Sequence, residues 1–256
     1  MRLPLSFVLV ASSSLVFAMP LAAQERSFNF AIGVGAVTKR AYPGVDGYET
    51  SADLKFTFGN LTWGKVNIGD GIGNVPENGL SLGGALRIVG SRDVADYPEL
   101  AGLDDIDTAV ELGFGLTYQQ TNWRAFGEIR QGFGGHEGVV GTLGADVIFH
   151  PNDRWTVTAG PRLSVGDSEY AGTYFGITGA EAARSNFNAF DAGGGVLGAG
   201  LEVSATYRID NYWSFESLLS YEKLMNDAAD SPITQVGSEN QLSLSIGLSR
   251  AFTLNF

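Results

Sequence analysis

The stretch Gln241–Phe256 reads QLSLSIGLSRAFTLNF, and its pattern decides the fold class. Large apolar residues occupy every second position, and Arg250 is the one interruption. The apolar positions are Leu242, Leu244, Ile246, Leu248, Phe252, Leu254 and Phe256, and between them lie Ser243, Ser245, Gly247, Ser249, Ala251, Thr253 and Asn255. A period of two predicts a β-strand. A soluble sandwich strand has roughly five or six residues, whereas a tilted membrane crossing needs about ten, which this stretch supplies.

The same alternation returns at four other places, within residues 28–35, 110–119, 142–149 and 197–207. In each of them one face carries large apolar side chains, and the other carries mostly small, polar or charged ones. Periodicity alone does not say which face points outward, because a soluble barrel buries its apolar face and a membrane barrel turns it to lipid. The length of the strands favours lipid on the outside.

The N-terminal residues favour the same alternative. Arg2 precedes the apolar run Leu5–Phe17, and small residues stand at Ala22 and Ala23. This order is typical of a secretory signal peptide, and the apolar run is too short for a membrane helix. We expect cleavage after Ala23, with cleavage after Ala18 as the alternative.

The domain division follows from this expectation. Residues 1–23 are the predicted signal peptide, and residues 24–256 are the predicted mature domain. No later segment offers the roughly 20 apolar residues of a transmembrane helix. An exported chain of this sequence that spans a membrane therefore has to be a closed, all-β, transmembrane antiparallel up-and-down β-barrel, which indicates the outer membrane of a Gram-negative bacterium.

Turn lengths predict the orientation of the barrel. Short links are expected at Gly59-Asn60, Thr121-Asn122, 151–154 and 210–212, and long links at 93–108, 169–195 and 226–240. Outer-membrane barrels have short periplasmic turns and long outer loops. If the two kinds alternate, the segment 61–79 has to hold two crossings, near 61–70 and near 72–77. The barrel then has about 12 strands, an even number with both termini in the periplasm.

Aromatic residues at strand ends fit this orientation. Trp123, Trp155 and Trp213 each follow a short turn, which places three indole rings at the periplasmic interface of the membrane. Outer-membrane lipid and lipopolysaccharide are expected to surround the barrel. Phe256 lies on an apolar alternating strand and is interpreted as the signal that the outer-membrane assembly machinery binds. Deleting Phe256 is expected to lower the yield in the outer membrane without changing export.

Composition excludes several classes of function. The formal net charge is −12, which argues against nucleic acid because phosphate binding needs a basic face. The 35 glycines and the 11 % aromatic residues are typical of strands and tight turns and not of disorder. The chain has no cysteine, so its fold does not rely on disulfides.

Several loop motifs carry a family resemblance. They are Tyr42-Pro43-Gly44-Val45-Asp46-Gly47-Tyr48, Gly102-Leu103-Asp104-Asp105-Ile106, His136-Glu137-Gly138, Tyr170-Ala171-Gly172-Thr173-Tyr174-Phe175-Gly176-Ile177 and Asp227-Ala228-Ala229-Asp230-Ser231-Pro232-Ile233. By their order and spacing, nearly all of the mature chain resembles the MltA-interacting protein family, also called MipA/OmpV. The resemblance implies an outer-membrane location and, in some members, a scaffold that links a lytic transglycosylase to a murein synthase. Other members are described as adhesins or porin-like proteins, and the family supplies no agreed catalytic residues.

The residues themselves give little support to catalysis or metal binding. His136 and His150 fall at opposite rims of the predicted barrel, so a shared metal site is not expected. His136 stands beside Glu137 but has no neighbouring serine, and we interpret it as a solvated loop residue. The acidic run 93–107 lacks the spacing of a calcium loop and is interpreted as solvated, with divalent cations or bridged lipopolysaccharide as the alternative. We expect no catalytic residue, cofactor or metal.

Charges of both signs lie on the inward faces of the predicted strands. They are Arg87, Arg124, Arg130, Arg162 and Arg208 against Glu111, Glu128, Asp146, Glu202 and Glu216. Equal numbers favour pairing across the lumen, because an unpaired charge in a narrow lumen costs free energy. A pore with charged walls is the alternative. The expected barrel size favours a plugged or narrow lumen.

Together these observations predict a non-enzymatic outer-membrane protein. The resemblance implies a scaffold or interaction protein in murein (peptidoglycan) metabolism and envelope maintenance, with a periplasmic murein hydrolase or synthase as partner. A narrow channel is the alternative that the inward charges support. A surface adhesin is the alternative that the long outer loops support.

Overall fold

The computed structural model describes residues 26–64, 66–68 and 78–256. Its strands are β1 (Arg26–Arg40), β2 (Tyr48–Trp63), β3 (Val66–Ile68), β4 (Gly79–Val89), β5 (Ala109–Gln120), β6 (Trp123–Gly134), β7 (Val139–Asn152), β8 (Trp155–Gly166), β9 (Gly195–Arg208), β10 (Trp213–Leu224) and β11 (Asn240–Asn255). The helices are α1 (Ser168–Phe175), α2 (Gly179–Ala182), α3 (Asn226–Asp230) and α4 (Pro232–Val236), and two 3₁₀ turns lie at Val94–Asp96 and Pro98–Leu100. The predicted signal peptide and the predicted crossing near 72–77 fall outside the described residues.

All strands pair antiparallel in one sheet that runs in the order β3-β2-β1-β11-β10-β9-β8-β7-β6-β5-β4. The pairing of β1 with β11, from Ser27 opposite Asn255 to Thr38 opposite Leu244, joins the two ends of the chain. The free edges are β4 at one end of the sheet and β2, with the short β3, at the other. Phe58 of β2 lines the same cavity as Ser81 of β4, so the two edges face each other and the barrel is nearly closed.

The described residues form ten long strands, so the expectation of about 12 was wrong. Gly59-Asn60 is not a turn, because β2 continues to Trp63. Asn29 pairs with Asn60 and Phe30 pairs with Phe58, which leaves Gly59 as the extra residue of a β-bulge. The expected crossing near 61–70 reduces to the end of β2 and the three residues of β3. Ten is an even number, so the start of β1 and the end of β11 lie at the same end of the barrel.

Side-chain facing identifies the barrel as a membrane barrel. Large apolar side chains such as Leu201 (60 % exposed), Phe114 and Phe149 point outward, whereas Glu111 and Asp146 are buried inside. A soluble barrel would show the reverse. Strands β6, β8 and β10 begin at Trp123, Trp155 and Trp213, as the sequence predicts. Within the described residues, no helix is long and apolar enough to cross a membrane.

Link lengths define the two ends. The turns 121–122, 153–154 and 209–212 are short and mark the periplasmic end, where the longer link between Trp63 of β2 and Gly79 of β4 also begins and ends. The links 41–47, 90–108, 135–138, 167–194 and 225–239 lie at the other end and together form what we call the outer cap. The two clusters of buried apolar residues in the described chain belong to this cap and to the strand ends beneath it.

Local capping explains why helices form inside the longest link. The Asp167 side chain accepts a hydrogen bond from the Tyr170 backbone N–H at the start of α1. Thr178 and Glu181 form a reciprocal capping box at the start of α2. These short helices were absent from the sequence expectations, which treated the long links as irregular loops.

Candidate functional site

The upper lumen, beneath the outer cap, holds a buried cluster of charges. Arg130 Nε donates to Glu111 Oε2 at 2.8 Å, and its Nη1 donates to Glu128 Oε2 at 2.8 Å. Its Nη2 also reaches Thr142 Oγ1 at 3.3 Å. The Arg130 side chain is 5 % exposed and the Glu111 side chain is fully buried. Two carboxylates and a hydroxyl therefore satisfy one buried guanidinium.

A second cluster of charges crosses the middle of the lumen wall. Asp146 is buried and accepts from Arg124 Nη2 at 2.7 Å and from Arg162 Nη1 at 2.7 Å. Arg162 Nη2 binds Glu202 Oε1, also at 2.7 Å. The ring of Phe126 lies under the guanidinium groups of Arg124 and Arg162, at 5.5 and 4.9 Å. The cluster links four neighbouring strands, β6 to β9.

The arrangement differs from the sequence expectation in direction. The arginines pair with carboxylates on their own or adjacent strands, as in Arg124 opposite Asp146, and so run along the wall instead of across the lumen. Arg87 makes no ion pair with a carboxylate of the described chain and lies on the edge strand β4. Glu216 accepts a hydrogen bond from the Ser249 hydroxyl, and Arg208 donates to the Asp153 backbone carbonyl.

His136 is not the solvated loop residue that the sequence suggested. It is 3 % exposed, and its Nε2 lies 3.3 Å from Glu111 Oε1. The rings of Tyr170 and Tyr174 meet it edge to face at centroid distances of 4.9 and 5.5 Å. A Cβ at Gly132 would come within 2.1 Å of its ring, so only glycine fits there. The Gly-rich run before His136 was the sequence signal for this close approach.

Tyr170 and Tyr174 join the lumen to the outer cap. Both lie on α1, where Tyr174 and Phe175 are almost completely buried. They pack against strand ends that include Val89, Ala109, Val140, Leu197 and Leu224. Burial raises the pKa of Tyr170 to about 12, and burial also raises the pKa of Tyr174. Both phenols are therefore neutral at physiological pH.

The other family-like motifs also build the outer cap. Ser231 is fully buried, and its hydroxyl donates to the Phe175 carbonyl at 2.6 Å and accepts from the Ile233 N–H at 3.2 Å. Pro232 is the first residue of α4. Gly176 ends α1, with its N–H donating to the Gly172 carbonyl. Each of these motif residues therefore fixes a chain reversal or a contact between cap elements.

The first motif makes similar contacts at the edge of the cap. Tyr42 is buried, meets the ring of Tyr97 edge to face at 4.8 Å, and has a pKa that burial raises. Gly44 has φ +91°, and a Cβ there would lie 2.7 Å from the Thr234 hydroxyl. Asp46 pairs with Arg40 at 3.0 Å, and Arg40 lies over the Tyr48 ring.

The acidic run in the second long link is partly structural. Asp93 accepts from the Ala95 N–H, and Asp105 accepts from the Val94 N–H at 2.7 Å. Asp104 pairs with Arg184 of the neighbouring link. Leu100 between these acids is fully buried, so the run folds against the cap. The described residues contain no group of three or more histidines, cysteines or acids that could hold a metal ion.

At the opposite end, Phe256 is exposed on the outside of the barrel. Its ring contacts Trp63 edge to face at 6.1 Å, and its N–H donates to the Arg26 carbonyl. The lumen between the two ends is not filled. Cavities of about 620, 330, 310 and 280 Å³ lie along it, and the largest is at the periplasmic end.

Comparisons with known proteins give a family and a general likeness. A family model described as MltA-interacting protein MipA matches residues 32–252. No curated protein matches the chain. Similar solved structures include the P. putida toluene transporter TodX, with 11 % identity over 92 % of this chain and 91 % of that one and a TM-score of 0.30. The NanC porin has 10 % identity over 88 % and 98 % with a TM-score of 0.34, and OprG from Pseudomonas aeruginosa has 12 % over 89 % and 97 % with 0.29. At these values the likenesses say nothing of what this chain binds.

Proposed function

Because the chain belongs to the MltA-interacting protein MipA family of the outer membrane, we propose that it is a non-conducting scaffold that holds a murein-processing enzyme at the inner face of that membrane. The family description names a protein, MltA, as the partner. The proposed partner of this chain is a lytic transglycosylase in the periplasm. The barrel provides the membrane attachment, and the short periplasmic turns provide the contact.

The observation that carries this proposal is the asymmetry of the two ends. The outer cap packs a buried core onto the ends of five strands, which supports a closed outer end. At the periplasmic end, the turns between β5 and β6, between β7 and β8 and between β9 and β10 are short, and the last of them carries exposed apolar side chains. Tyr212 is 65 % exposed and Ile209 lies beside it in the turn 209–212. Exposed aromatic side chains of this kind are frequent centres of protein interfaces.

A catalytic role is not part of the proposal. His136 is enclosed by Glu111, Tyr170 and Tyr174, where no substrate reaches its ring. His150 lies at the periplasmic end, far along the barrel from the buried carboxylates of the upper lumen.

The test is retention of a purified lytic transglycosylase of the same organism by the protein in lipid nanodiscs. Tyr212→Ser is expected to weaken retention about tenfold or more, as for an interface aromatic. Val236→Ser is the matched control, because Val236 is also an exposed apolar residue but lies in the outer cap. Wild type that fails to retain the enzyme, or equal losses in the two variants, would contradict the scaffold role.

A narrow channel is the second candidate, and one observation favours it. The cavities inside the barrel leave room for water between the ion-paired wall of β6 to β9 and the wall of β10 and β11. A channel requires that these cavities connect past the outer cap, which a conductance measurement detects directly.

A further inference from the structure

Two outward-facing arginines at the periplasmic end of the barrel each lie over an aromatic ring. Cζ of Arg26, the first residue of β1, is 4.2 Å from the centroid of the Trp63 ring. Cζ of Arg250, on β11, is 5.6 Å from the centroid of the Trp213 ring and 5.1 Å from that of the Phe252 ring. A guanidinium on the face of a ring still has N–H groups at its edge that donate to an anion.

A third arginine, Arg154, lies in the turn between β7 and β8 at the same end. Its Nη1 donates to the hydroxyl of outward-facing Tyr207 at 3.3 Å, and the Tyr207 ring lies 5.0 Å from the ring of Trp155. The strands from β8 through β9, β10, β11 and β1 to β2 are successive neighbours in the sheet. The three arginines therefore follow one side of the barrel, and we call them the basic arc: Arg26, Arg154 and Arg250.

Arg250 lies within an apolar surface that faces lipid. It interrupts the alternation of β11, and the residues opposite it on the two neighbouring strands are Ile32, which is exposed, and Trp213. Trp213 is the first residue of β10, so it marks the periplasmic boundary of the membrane. An arginine on a lipid-facing strand is costly in the hydrocarbon and tolerated near the headgroups, where its long side chain reaches the phosphates.

Outward-facing cations at the opposite end differ, because they have carboxylate partners. Arg40 also lies over an aromatic ring, with its Cζ 4.1 Å from the Tyr48 centroid, but it pairs with Asp46 at 3.0 Å. Lys223 pairs with Glu239 at 3.1 Å. Within the described chain, no arginine of the basic arc forms an ion pair with a carboxylate.

The carboxylate of Asp210, in the turn before β10, does not neutralise Arg250 by contact. Its Oδ1 accepts hydrogen bonds from the Tyr212 N–H at 2.7 Å and from the Trp213 N–H at 2.8 Å. Its interaction with Arg250 is electrostatic and involves no ion pair in the described chain. The Arg250 guanidinium is therefore available to an anion outside the barrel.

We propose that the basic arc binds the phosphate groups of anionic phospholipids in the periplasmic leaflet of the outer membrane. A guanidinium matches a phosphate through paired charge-assisted hydrogen bonds, and the neighbouring aromatic rings lie at the level of the headgroups. The formal net charge of −12 opposes a general attraction of the protein to anionic lipid, so the binding is local. The proposal rests on the periplasmic orientation of this end and does not require the scaffold role.

The test is quenching of tryptophan fluorescence by brominated lipid, with the full-length protein folded in phosphatidylcholine vesicles. Trp63, Trp155 and Trp213 lie beside the basic arc and report on the lipid there. Brominated phosphatidylglycerol is compared with brominated phosphatidylcholine, which has the same phosphate but no net charge. We expect phosphatidylglycerol to bind about fivefold more tightly, since one arginine near an anionic surface accounts for about that much. Higher salt should reduce this preference.

Substitution locates the site. Arg154→Gln with Arg250→Gln should lower the preference for phosphatidylglycerol about fivefold. Arg40→Gln is the matched control, because Arg40 is an outward-facing arginine over an aromatic ring that already has a carboxylate partner. Heat-modifiable mobility on gels checks that each variant is folded, and the comparison of the two lipids on wild type needs no variant.

Four outcomes would overturn the proposal. They are equal binding of the two lipids by wild type, an unchanged preference in the double variant, an equal loss in Arg40→Gln, and loss of the preference when inorganic phosphate is added at low millimolar concentration. The last outcome would assign the arginines to a soluble phosphate. An unchanged lipid preference together with weaker retention of the transglycosylase in the double variant would assign them to the protein partner instead.

Discussion

The two ends of the same strands differ in how their charges are held. At the outer end, Glu111, Arg130 and His136 are buried, contact one another and lie under helix α1. At the periplasmic end, Arg154 and Arg208 stand at the rim of a cavity with turns of a few residues around it. The links at the two ends also differ. The long links of the outer end fold into a cap on the strand ends, whereas the turns 121–122, 153–154 and 209–212 are too short to do so.

This difference indicates where the protein meets other molecules. A buried and mutually satisfied charge cluster fixes one arrangement of side chains and exposes little to a partner. We therefore place the structural work of this barrel at the outer end, and the proposed contact with a partner lies at the periplasmic end.

The largest expected effect concerns the buried carboxylate. Glu111→Ala leaves Arg130 and His136 without their buried partner, so we expect a loss of about 3–5 kcal/mol in the free energy of unfolding. Glu202→Ala is the matched control at a more exposed position in the lumen. Because Arg162 retains its ion pair with Asp146, this substitution should lower the free energy of unfolding by about 1 kcal/mol or less. Urea unfolding in lipid vesicles measures both. Equal losses in the two variants would contradict the claim that charges at the outer end are more deeply buried than charges in the middle of the lumen.

The next effect tests the facing of the wall that joins the two ends. Leu201 lies near the middle of β9 and points to lipid, so Leu201→Arg should cost about 2–4 kcal/mol. Glu202→Gln, one residue along and facing the lumen, should cost less, since Arg162 retains Asp146. The same unfolding experiment compares them. A stable Leu201→Arg beside a destabilised Glu202→Gln would mean that the barrel is inside out.

Sequence alone predicted the strands well, because their alternation is a local property. It placed the starts of β6, β8 and β10 at tryptophans, and it placed charges on the inward face. It misjudged Gly59, since a bulge and a turn both favour glycine and differ only in the pairing of the next strand.

The outer cap could not be predicted in the same way. Its helices have four to eight residues, too few to show a helical period. The burial of His136 depends on Tyr170, which is distant in sequence and reaches it only through the folded link. The pairing of Arg124 with Asp146 along the wall follows from strand register, which composition does not reveal.

The smallest expected effect concerns acid stability of the cap. Burial raises the pKa of Glu181, but hydrogen bonds from the Asp104 and Thr178 N–H groups and from the Thr178 hydroxyl outweigh it, so the pKa lies below its ordinary value. The stabilisation is therefore present above the ordinary glutamate pKa and is lost as the pH falls through the lowered value. Glu181→Gln should cost about 1 kcal/mol at neutral pH and flatten this acid loss.

Pepsin digestion of the outer links, followed against pH, measures the effect. Glu169→Gln is the control, because Glu169 is exposed on α1 and its carboxylate has no hydrogen bond in the described chain. Retained acid sensitivity in Glu181→Gln, or an equal change in Glu169→Gln, would remove Glu181 from the account of the cap.

The steady conductance of the purified protein in planar bilayers tests the central claim most directly, because a lumen closed at the outer end cannot pass ions however open its periplasmic end is. The variant with serine at positions 124, 130 and 162 serves as the reference for an opened lumen. Its smaller side chains free volume, and the buried carboxylates that lose their arginine partners recruit water. We predict little or no steady conductance for wild type and a measurable conductance for this variant. Large, stable and ion-selective conductance of wild type would contradict the closed outer end and make the channel the leading function.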